Sequence, residues 1–264
     1  MGFVFKGILR NVWCMGCSVK RPFLVVSALE DEIYLFAGRL EGRKVWRGNG
    51  RRWWSGRCGD VWCVAGHLGV GADNAAAAVK WALENFSPTG VLLAGYAGGL
   101  RDDVVRGDVF TDDEAVAGLL GGEVKFGGVV CVPKVLESEA EKREWASRTG
   151  ALVCEMESVG VRDVCARAGV GFFHLRVVSD AVGDDFPEAP LAKACDFGSG
   201  RTTLMRLLWH LLLRPRDVAA LVKLFRKVAP VRRRLCEVVE KAVPAIAGVC
   251  AEGRRVQSPS STFQ

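Results

Sequence analysis

Short apolar runs that alternate with helical patterns predict an α/β fold with a largely parallel sheet. Strand patterns cover residues 23–28, 61–65, 90–94, 151–154 and 172–178, and helical patterns cover residues 30–40, 73–86, 138–150 and 158–168. The chain has 264 residues, of which 50% are hydrophobic and 25% are charged, so it can form one large domain with a buried core. This composition excludes collagen-like, low-complexity and disulfide-stabilised miniprotein classes.

Start and stop signals define the helices in order along the chain. The helix over residues 73–86 begins at Asp73 or Asn74 and ends before Pro88. Ser138 with Glu141 has the pattern of a capping box, and glycines follow this helix and the next one, at residues 150 and 169. In an α/β fold of this kind, ligands bind at the carboxyl ends of the parallel strands.

The net charge of +6 is concentrated near the C-terminus. Residues 201–241 hold eleven Lys or Arg against three acidic residues, a net +8, whereas residues 1–200 carry −3. Apolar residues recur at helical spacing over 204–211, over 218–225 and, after Pro230, over 235–243. This pattern favours helices that pack on the core, with peripheral contact to an anionic membrane through residues 201–241 as the alternative. We expect no nucleic-acid partner, because the basic residues lack interleaved aromatic residues and a reader motif.

Ten cysteines, several of them within apolar segments, indicate a reducing cytoplasm rather than a disulfide framework. Cys14 and Cys17 have the CxxC spacing of a zinc-binding pair. A zinc site needs a second pair of ligands, and the C-x4-C spacing of Cys58 and Cys63 fits that role poorly, so we expect no metal. No segment has the pattern of a secretion signal or of a membrane span. The expected organisation is an N-terminal extension (1–20), the α/β domain (21–200), a basic amphipathic helical segment (201–245) and a flexible tail (246–264).

Acidic residues follow three of the predicted strands. Glu32 comes after the first, Glu155 and Glu157 after the fourth, and Asp180 after the fifth. Taken singly, each has an ordinary explanation as a helix N-terminal carboxylate, a solvated helix residue or a turn residue. Arg176, however, lies inside an apolar strand, where a cation is unfavourable unless it meets an acid. We therefore expect Arg176 to contact a carboxylate at this edge of the sheet.

Six segments, in order, resemble the purine nucleoside phosphorylase and nucleosidase superfamily, especially 5′-methylthioadenosine/S-adenosylhomocysteine nucleosidases and hopanoid-associated enzymes. They are SALEDE (27–32), GVGADNAA (69–76), AGYAGGL (94–100), RGDV (106–109), EMES (155–158) and RVVSD (176–180). The resemblance implies a nucleoside phosphorylase-like three-layer fold with a central mixed sheet, plus a C-terminal helical segment. It also implies cleavage of the N-glycosidic bond of an adenine nucleoside with a 5′ substituent, adenosylhopane in the hopanoid-associated enzymes.

The resemblance assigns the catalytic roles to two carboxyl groups. Asp180 would be the general acid that protonates purine N7, oriented by Ser179. Glu32 would orient and deprotonate the attacking water. These roles suit the reaction, because cleavage builds negative charge on the departing purine and positive charge on the ribose.

The resemblance also identifies residues that would surround the substrate. Glu157 would accept hydrogen bonds from the ribose 2′- and 3′-hydroxyls, with Met156 against the apolar face of the sugar. Arg176 would hold a carboxylate in position. The remaining candidates are Glu155, Gly98, Tyr96, which takes the place of a family serine, and Leu136, which lies near the place of an aromatic that stacks on the purine.

Hydrolysis is favoured over phosphorolysis. Phosphorylases of this superfamily bind phosphate with a Gly-Asp-x-x-Arg-like loop after the first strand. This chain has acidic residues at 30–32, which would repel a dianion, although Arg101 or Arg106 would be available for phosphate. A non-catalytic nucleoside- or lipid-binding relative is the third possibility. We expect no cofactor: the nucleophile would be water, or phosphate in a phosphorylase. We also expect the chain to form a homo-oligomer.

Overall fold

The computed structural model describes residues 21–184, 195–196, 201–202 and 217–251, with side chains for 21–184 and 228–250. The strands are β1 (Phe23–Ser27), β2 (Glu41–Gly48), β3 (Arg51–Cys58), β4 (Val61–His67), β5 (Gly90–Gly99), β6 (Val109–Thr111), β7 (Lys125–Phe126), β8 (Val129–Cys131), β9 (Val153–Glu155), β10 (Gly171–Asp180), β11 (Cys195–Asp196) and β12 (Arg201–Thr202). The helices are α1 (Glu30–Arg39), α2 (Ala72–Phe86), α3 (Glu114–Leu120), α4 (Glu139–Thr149), α5 (Ser158–Ala168) and α6 (Asp217–Ala251).

Ten of the strands form one mixed sheet in the order β2-β3-β4-β1-β5-β10-β6-β7, with β9 paired to β5 and to β8. Strands β4, β1, β5 and β10 are parallel, so their carboxyl ends share one edge. The antiparallel pairs β2–β3, β3–β4 and β10–β6 make the sheet mixed. The α/β fold with a central mixed sheet is therefore confirmed.

Helices cover both faces of this sheet, which gives three layers. On one face, α1 and α6 pack against Phe23 and Val25 of β1. On the other face, α2 and α5 pack against Leu24 and Val26 of the same strand. Because β1 is buried on both faces, its sequence is continuously apolar rather than alternating.

Two of the predicted strands continue further at their carboxyl ends than the sequence indicates. Strand β5 extends past residue 94 through the glycine-rich segment to Gly99, and β10 extends to Asp180. At the start of α4, the Ser138 hydroxyl accepts from the Glu141 N–H at 3.2 Å as predicted, but the Glu141 carboxylate accepts from the Glu137 N–H instead of closing a capping box at Ser138. Gly150 follows the last turn in the left-handed conformation, as predicted. These extensions carry polar and glycine residues to the common edge of the sheet.

Helix α6 packs its apolar stripe on the core. Leu235, Val238, Val239 and Val243 are each at most 2% exposed, as the packing interpretation predicts for this part of the basic segment. The pattern over 204–211 lies outside the described residues, and so do the side chains of 218–225. Of the helices that the structure describes, none combines the length and apolar character needed to cross a bilayer.

Helix α6 is also continuous where the sequence indicates breaks. It passes through Pro230 and Pro244 and ends at Ala251, with Ile246 fully buried. The predicted boundary at residue 245 is therefore wrong for residues 246–251, because the apolar stripe continues beyond it. Ion pairs fix the helix to the body of the protein: Arg232 lies 2.7 Å from Asp31.

Candidate active site

Glu32 lies in the first turn of α1, immediately beyond the carboxyl end of β1. Its carboxylate accepts hydrogen bonds from the backbone N–H groups of Leu29 and Tyr96, each at 2.7 Å. The residue is 4% exposed, and burial raises the pKa of its carboxyl although the Arg176 charge opposes this. A buried carboxyl with a raised pKa is suited to taking up a proton.

Arg176, inside β10, meets two acids, as its place in an apolar strand predicts. Its guanidinium is 1% exposed and forms an ion pair with Glu155. The same Nη2 atom lies 3.3 Å from Oε2 of Glu157, and Nη1 donates to the Tyr96 carbonyl oxygen at 3.3 Å. Arg176 therefore holds both glutamates at the end of β9, Glu155 within the strand and Glu157 just after it.

Glu155 is fully enclosed by these contacts. Its carboxylate accepts from the backbone N–H groups of Glu157 and Ser158, both at 2.9 Å, and from the Ser158 hydroxyl at 2.6 Å. Burial raises the pKa of Glu155, but the Arg176 charge and these hydrogen bonds outweigh it and hold the pKa below its usual range. The side chain is 0% exposed, and it fixes Arg176 and the start of α5. A contact of Glu155 with substrate stays a prediction.

Glu157 is held more loosely and faces a different helix. Its Oε1 atom accepts from the backbone N–H of Gly71, which precedes α2, at 3.0 Å. Burial raises the pKa of Glu157 to about 7, although Arg176 lowers it, and the neighbouring Glu155 raises it further. Its carboxyl therefore changes charge near neutral pH.

Asp180 is positioned at the end of β10 by two donors. The Ser179 hydroxyl donates to Oδ1 at 2.7 Å, which agrees with the predicted orienting role of Ser179. The ammonium of Lys142, from α4, donates to Oδ2 at 2.6 Å. Sequence reasoning missed Lys142, because a lysine in a highly charged helix is usually solvated.

The glycine-rich end of β5 runs between Glu32 and Asp180. A β-carbon added at Gly95 would lie 2.9 Å from Oε1 of Glu32, and one added at Gly98 would lie 3.3 Å from Oδ2 of Asp180. Glycine at these positions lets the backbone approach both carboxyl groups. The two predicted catalytic residues thus lie along the same short stretch of backbone.

Apolar residues border this edge of the sheet. Leu136 is 4% exposed and packs in a cluster with Leu100 and Cys154, against which Met156 also packs. Tyr96 contributes its backbone N–H and C=O to the site, whereas its ring packs against the core cluster that includes α1 and α6. The Tyr96 side chain is therefore a packing group, and its predicted contact with substrate is limited to the backbone.

A chain of buried polar groups lies behind Arg176 and was not predicted. Arg176 Nε donates to Nε2 of His174 at 2.7 Å, so this hydrogen bond assigns the imidazole proton to Nδ1, which lies 3.6 Å from Oδ1 of Asp112. Asp112 in turn forms an ion pair with Arg162 of α5. No local sequence pattern indicates this chain, because its members come from segments that only the fold brings together.

A resident metal ion has no evident binding site in the described part of the chain. Among those residues, no group of three or more His, Cys, Asp or Glu side chains could hold an ion. Burial raises the pKa of the Cys58 thiol to about 11 and that of Cys63 to about 12, so neither is a ready thiolate ligand. Cys14 and Cys17 lie outside the described residues.

Comparison with known proteins connects this geometry to one family. The family model of the phosphorylase superfamily matches residues 22–117 and 110–196. The 5′-methylthioadenosine/S-adenosylhomocysteine nucleosidase of Chromohalobacter salexigens is 23% identical over 205 residues, which are 62% of this chain and 86% of that protein. The corresponding protein of Geobacillus thermodenitrificans is 25% identical over 199 residues, or 61% of this chain and 84% of the relative.

Solved structures show the same fold at low sequence identity. The futalosine hydrolase of Helicobacter pylori superposes with a TM-score of 0.63 and 15% identity, covering 85% of this chain and 97% of that one. A 5′-methylthioadenosine/S-adenosylhomocysteine nucleosidase from S. pneumoniae superposes with a TM-score of 0.64 and 12% identity, covering 85% and 99%. The likeness extends over most of the domain.

Proposed function

Because this chain belongs to the phosphorylase superfamily, we propose that it hydrolyses the N-glycosidic bond of a purine nucleoside. The observation that carries the proposal is an excess of buried carboxylates: Glu32, Glu155 and Glu157 surround a single buried cation, Arg176. Bond cleavage builds positive charge on the ribose, and preorganised negative charge stabilises such a transition state. Substrate need not reorganise the site, because hydrogen bonds already fix each carboxylate.

Two proton transfers remain, and they fall to the carboxyl groups on either side of the glycine-rich end of β5. Asp180 protonates N7 of the departing purine, and Glu32 accepts the proton that the attacking water loses. The raised pKa of Glu32 supports its role as the base, because burial favours its protonated form. Glu157 accepts hydrogen bonds from the ribose hydroxyls next to Met156.

The arrangement of cations supports water rather than phosphate as the nucleophile. Arg52 lies 2.7 Å from Glu30, and Arg106 donates to the Ser179 carbonyl oxygen at 2.8 Å. Arg106 also pairs with Asp184, and Arg101 is half exposed beside Asp103. Within the described part of the site, each of these cations is thus already opposed by a carboxylate, which disfavours binding of a dianion.

We extend the proposal to adenine as the base and to a bulky 5′ substituent, such as the triterpenoid of adenosylhopane in hopanoid biosynthesis. Support comes from the relatives named for 5′-methylthioadenosine and from the resemblance of the six segments between residues 27 and 180 to hopanoid-associated enzymes. A cytoplasmic location, a homo-oligomer and peripheral membrane contact through residues 201–241 belong to this finer proposal. Arg233 supports membrane contact, since its side chain is exposed, unlike those of Arg232 and Arg234.

The direct test is to incubate the protein with a panel of 5′-substituted adenosines, with and without phosphate, and to measure free adenine. We expect release in phosphate-free buffer, with a free reducing sugar as the second product. Release that requires phosphate, with a sugar 1-phosphate as product, would instead assign phosphorolysis. No release in either buffer, from a folded protein, would contradict the proposed reaction.

Nucleoside binding should weaken as the pH falls through about 7, the value to which burial raises the pKa of Glu157. Below it, Glu157 takes up a proton and loses an acceptor for the ribose hydroxyls, so affinity should fall by about tenfold per pH unit. Titration calorimetry between pH 5.5 and 8.5 with an uncleavable adenine nucleoside measures this. Free adenine, which lacks the ribose, is the control ligand, and an equal pH dependence for both ligands would contradict the assignment.

A further inference from the structure

Lys142 is an unusual residue for its helix. It is the one buried residue of α4, at 2% exposure, and its neighbours Glu139, Glu141 and Arg143 are charged and make ion pairs at the surface. Burying an ammonium is costly unless it is paired and hydrogen-bonded. The partner that offsets this cost is Asp180, the proposed general acid.

The contacts of Asp180 conflict with a simple role as a proton donor. Lys142 Nζ donates to Oδ2 at 2.6 Å and to the Ala181 carbonyl oxygen at 2.9 Å, while the Ser179 hydroxyl donates to Oδ1 at 2.7 Å. Both carboxylate oxygens therefore accept hydrogen bonds from protein donors. A carboxyl group whose two oxygens both act as acceptors points no proton of its own at a purine.

We propose that Lys142 supplies the proton that Asp180 passes to the leaving base, an inference that rests on the proposed function. Lys142 is thus a positioning residue that acts through Asp180. The path for the proton is the short hydrogen bond that the ammonium donates to Oδ2; the other donor to Asp180 is the neutral hydroxyl of Ser179.

The proton balance of the step is complete. As the bond between C1′ and N9 breaks, its electron pair moves into the purine, Lys142 gives a proton to Oδ2 of Asp180, and that oxygen passes a proton to N7. Water forms the new bond to C1′ and loses its proton to Glu32. Solvent then returns a proton to the Lys142 amine and removes one from Glu32, so that nucleoside and water become adenine and a free sugar.

Other titratable groups near the pair do not replace Lys142. The Cys154 thiol of β9 lies close to both Lys142 and Asp180, and burial raises its pKa to about 12, so it keeps its proton. On the loop after β10, Asp184 is paired with Arg106. Glu139, also from α4, approaches that loop at Gly183 but is paired with Arg143.

The test compares two leaving groups in two variants. Lys142→Met removes the proton, whereas Lys142→Arg keeps the positive charge and the hydrogen bonds but cannot be deprotonated in a protein. Each is assayed on a 5′-substituted adenosine and on the 4-nitrophenyl riboside with the same 5′ group, whose leaving group needs no protonation. We expect adenine release to fall by about 10²–10³-fold in both variants, with nitrophenol release within about threefold of the unaltered chain.

Two results would overturn the proposal while leaving the proposed function intact. One is rescue of adenine release by Lys142→Arg, which would mean that charge alone is needed; the other is an equal loss on both substrates, which would indicate a structural role. If the unaltered chain releases no adenine, the proposed function fails and this inference fails with it. Thermal unfolding establishes that the variants are folded, and should Lys142→Met not fold, Lys142→Arg carries the test.

Lys134→Met is the matched control. Lys134 forms an ion pair with Glu141 at 2.6 Å, but its side chain is 64% exposed. Its replacement should leave the rates on both substrates unchanged, because it contacts neither Asp180 nor the strand ends.

Discussion

An Asp180→Asn variant is expected to release adenine about 10²–10⁴-fold more slowly than the unaltered chain, the range over which general acids contribute. The asparagine amide keeps the size of the side chain, and its single carbonyl oxygen can accept from Lys142 or from Ser179, but it cannot carry a proton to N7. Nucleoside binding should be largely retained, because the ribose is held at Glu157. Single-turnover measurement of adenine release, combined with calorimetric binding of an uncleavable nucleoside, separates the two effects.

The matched control for this loss is Asp102→Asn. Asp102 is an exposed carboxylate that pairs with Arg143, itself half exposed, at 2.9 Å. We expect it to keep the full rate. If Asp180→Asn also kept the full rate, Asp180 would not be the acid, and a nucleoside- or lipid-binding relative without catalysis would become the better interpretation of the fold.

Arg176→Met should lower the free energy of unfolding by about 3–5 kcal/mol, the cost typical of breaking a buried ion pair from one side. The methionine fills part of the space, but Glu155 and Glu157 are left buried without their cation. The loss should shrink as the pH is lowered, because the two carboxyl groups can then neutralise by taking up protons. Urea denaturation at pH 8 and pH 6 measures both the loss and its pH dependence.

Arg143→Met is the comparison for Arg176→Met, since Arg143 is exposed and bonded to Asp102 and Glu139. Its removal should change the unfolding free energy little, because exposed pairs are screened by water. If both variants lost the same free energy of unfolding, the burial of Arg176 with Glu155 and Glu157 would not explain how much these residues contribute to stability. Arg176→Met should also reduce adenine release, since it leaves Glu157 without its anchor.

The central sheet was predictable because its strands are buried on both faces. Strands β1, β5 and β10 read as short continuous apolar runs, and the residues that follow them reach a common edge by topology alone. The site residues Glu32, Glu157 and Asp180 follow from that logic together with the motif resemblance. The contacts among these residues, by contrast, do not follow from the sequence, because they depend on the residue at which each strand ends.

The hairpin β2–β3 was not predicted, for a physical reason. Seven of the eight residues of β2 are not buried, half of its residues are charged, and the strand lacks an apolar alternation. Only Trp53 and Trp54 of β3 enter the core, where Trp53 packs on Trp81 at 5.5 Å between ring centroids. A hairpin at the edge of a sheet, such as this one, is determined by its pairing with the neighbouring strand rather than by a hydrophobic pattern in its own sequence.

Lys142 and His174 illustrate what sequence pattern cannot supply. The α4 sequence is strongly polar, and nothing local distinguishes the lysine that points inward from the charged residues beside it. His174 lies in an apolar strand, where a satisfied core histidine is the ordinary expectation. The partner of Lys142, Asp180, and the acid nearest to His174, Asp112, come from distant segments, so these contacts become visible only when the fold is known.

The position of α6 has a consequence for biosynthesis. Val231, Leu235 and Ile246 complete the same core cluster that Phe23 and Val25 begin. About 190 residues separate β1 from α6, and at translation rates of roughly 5–20 residues per second the apolar face of the sheet stays uncovered for roughly 10–40 s. The nascent chain is therefore most vulnerable to aggregation late in synthesis, and ribosome-bound chains that stop before α6 should be the ones that recruit chaperones.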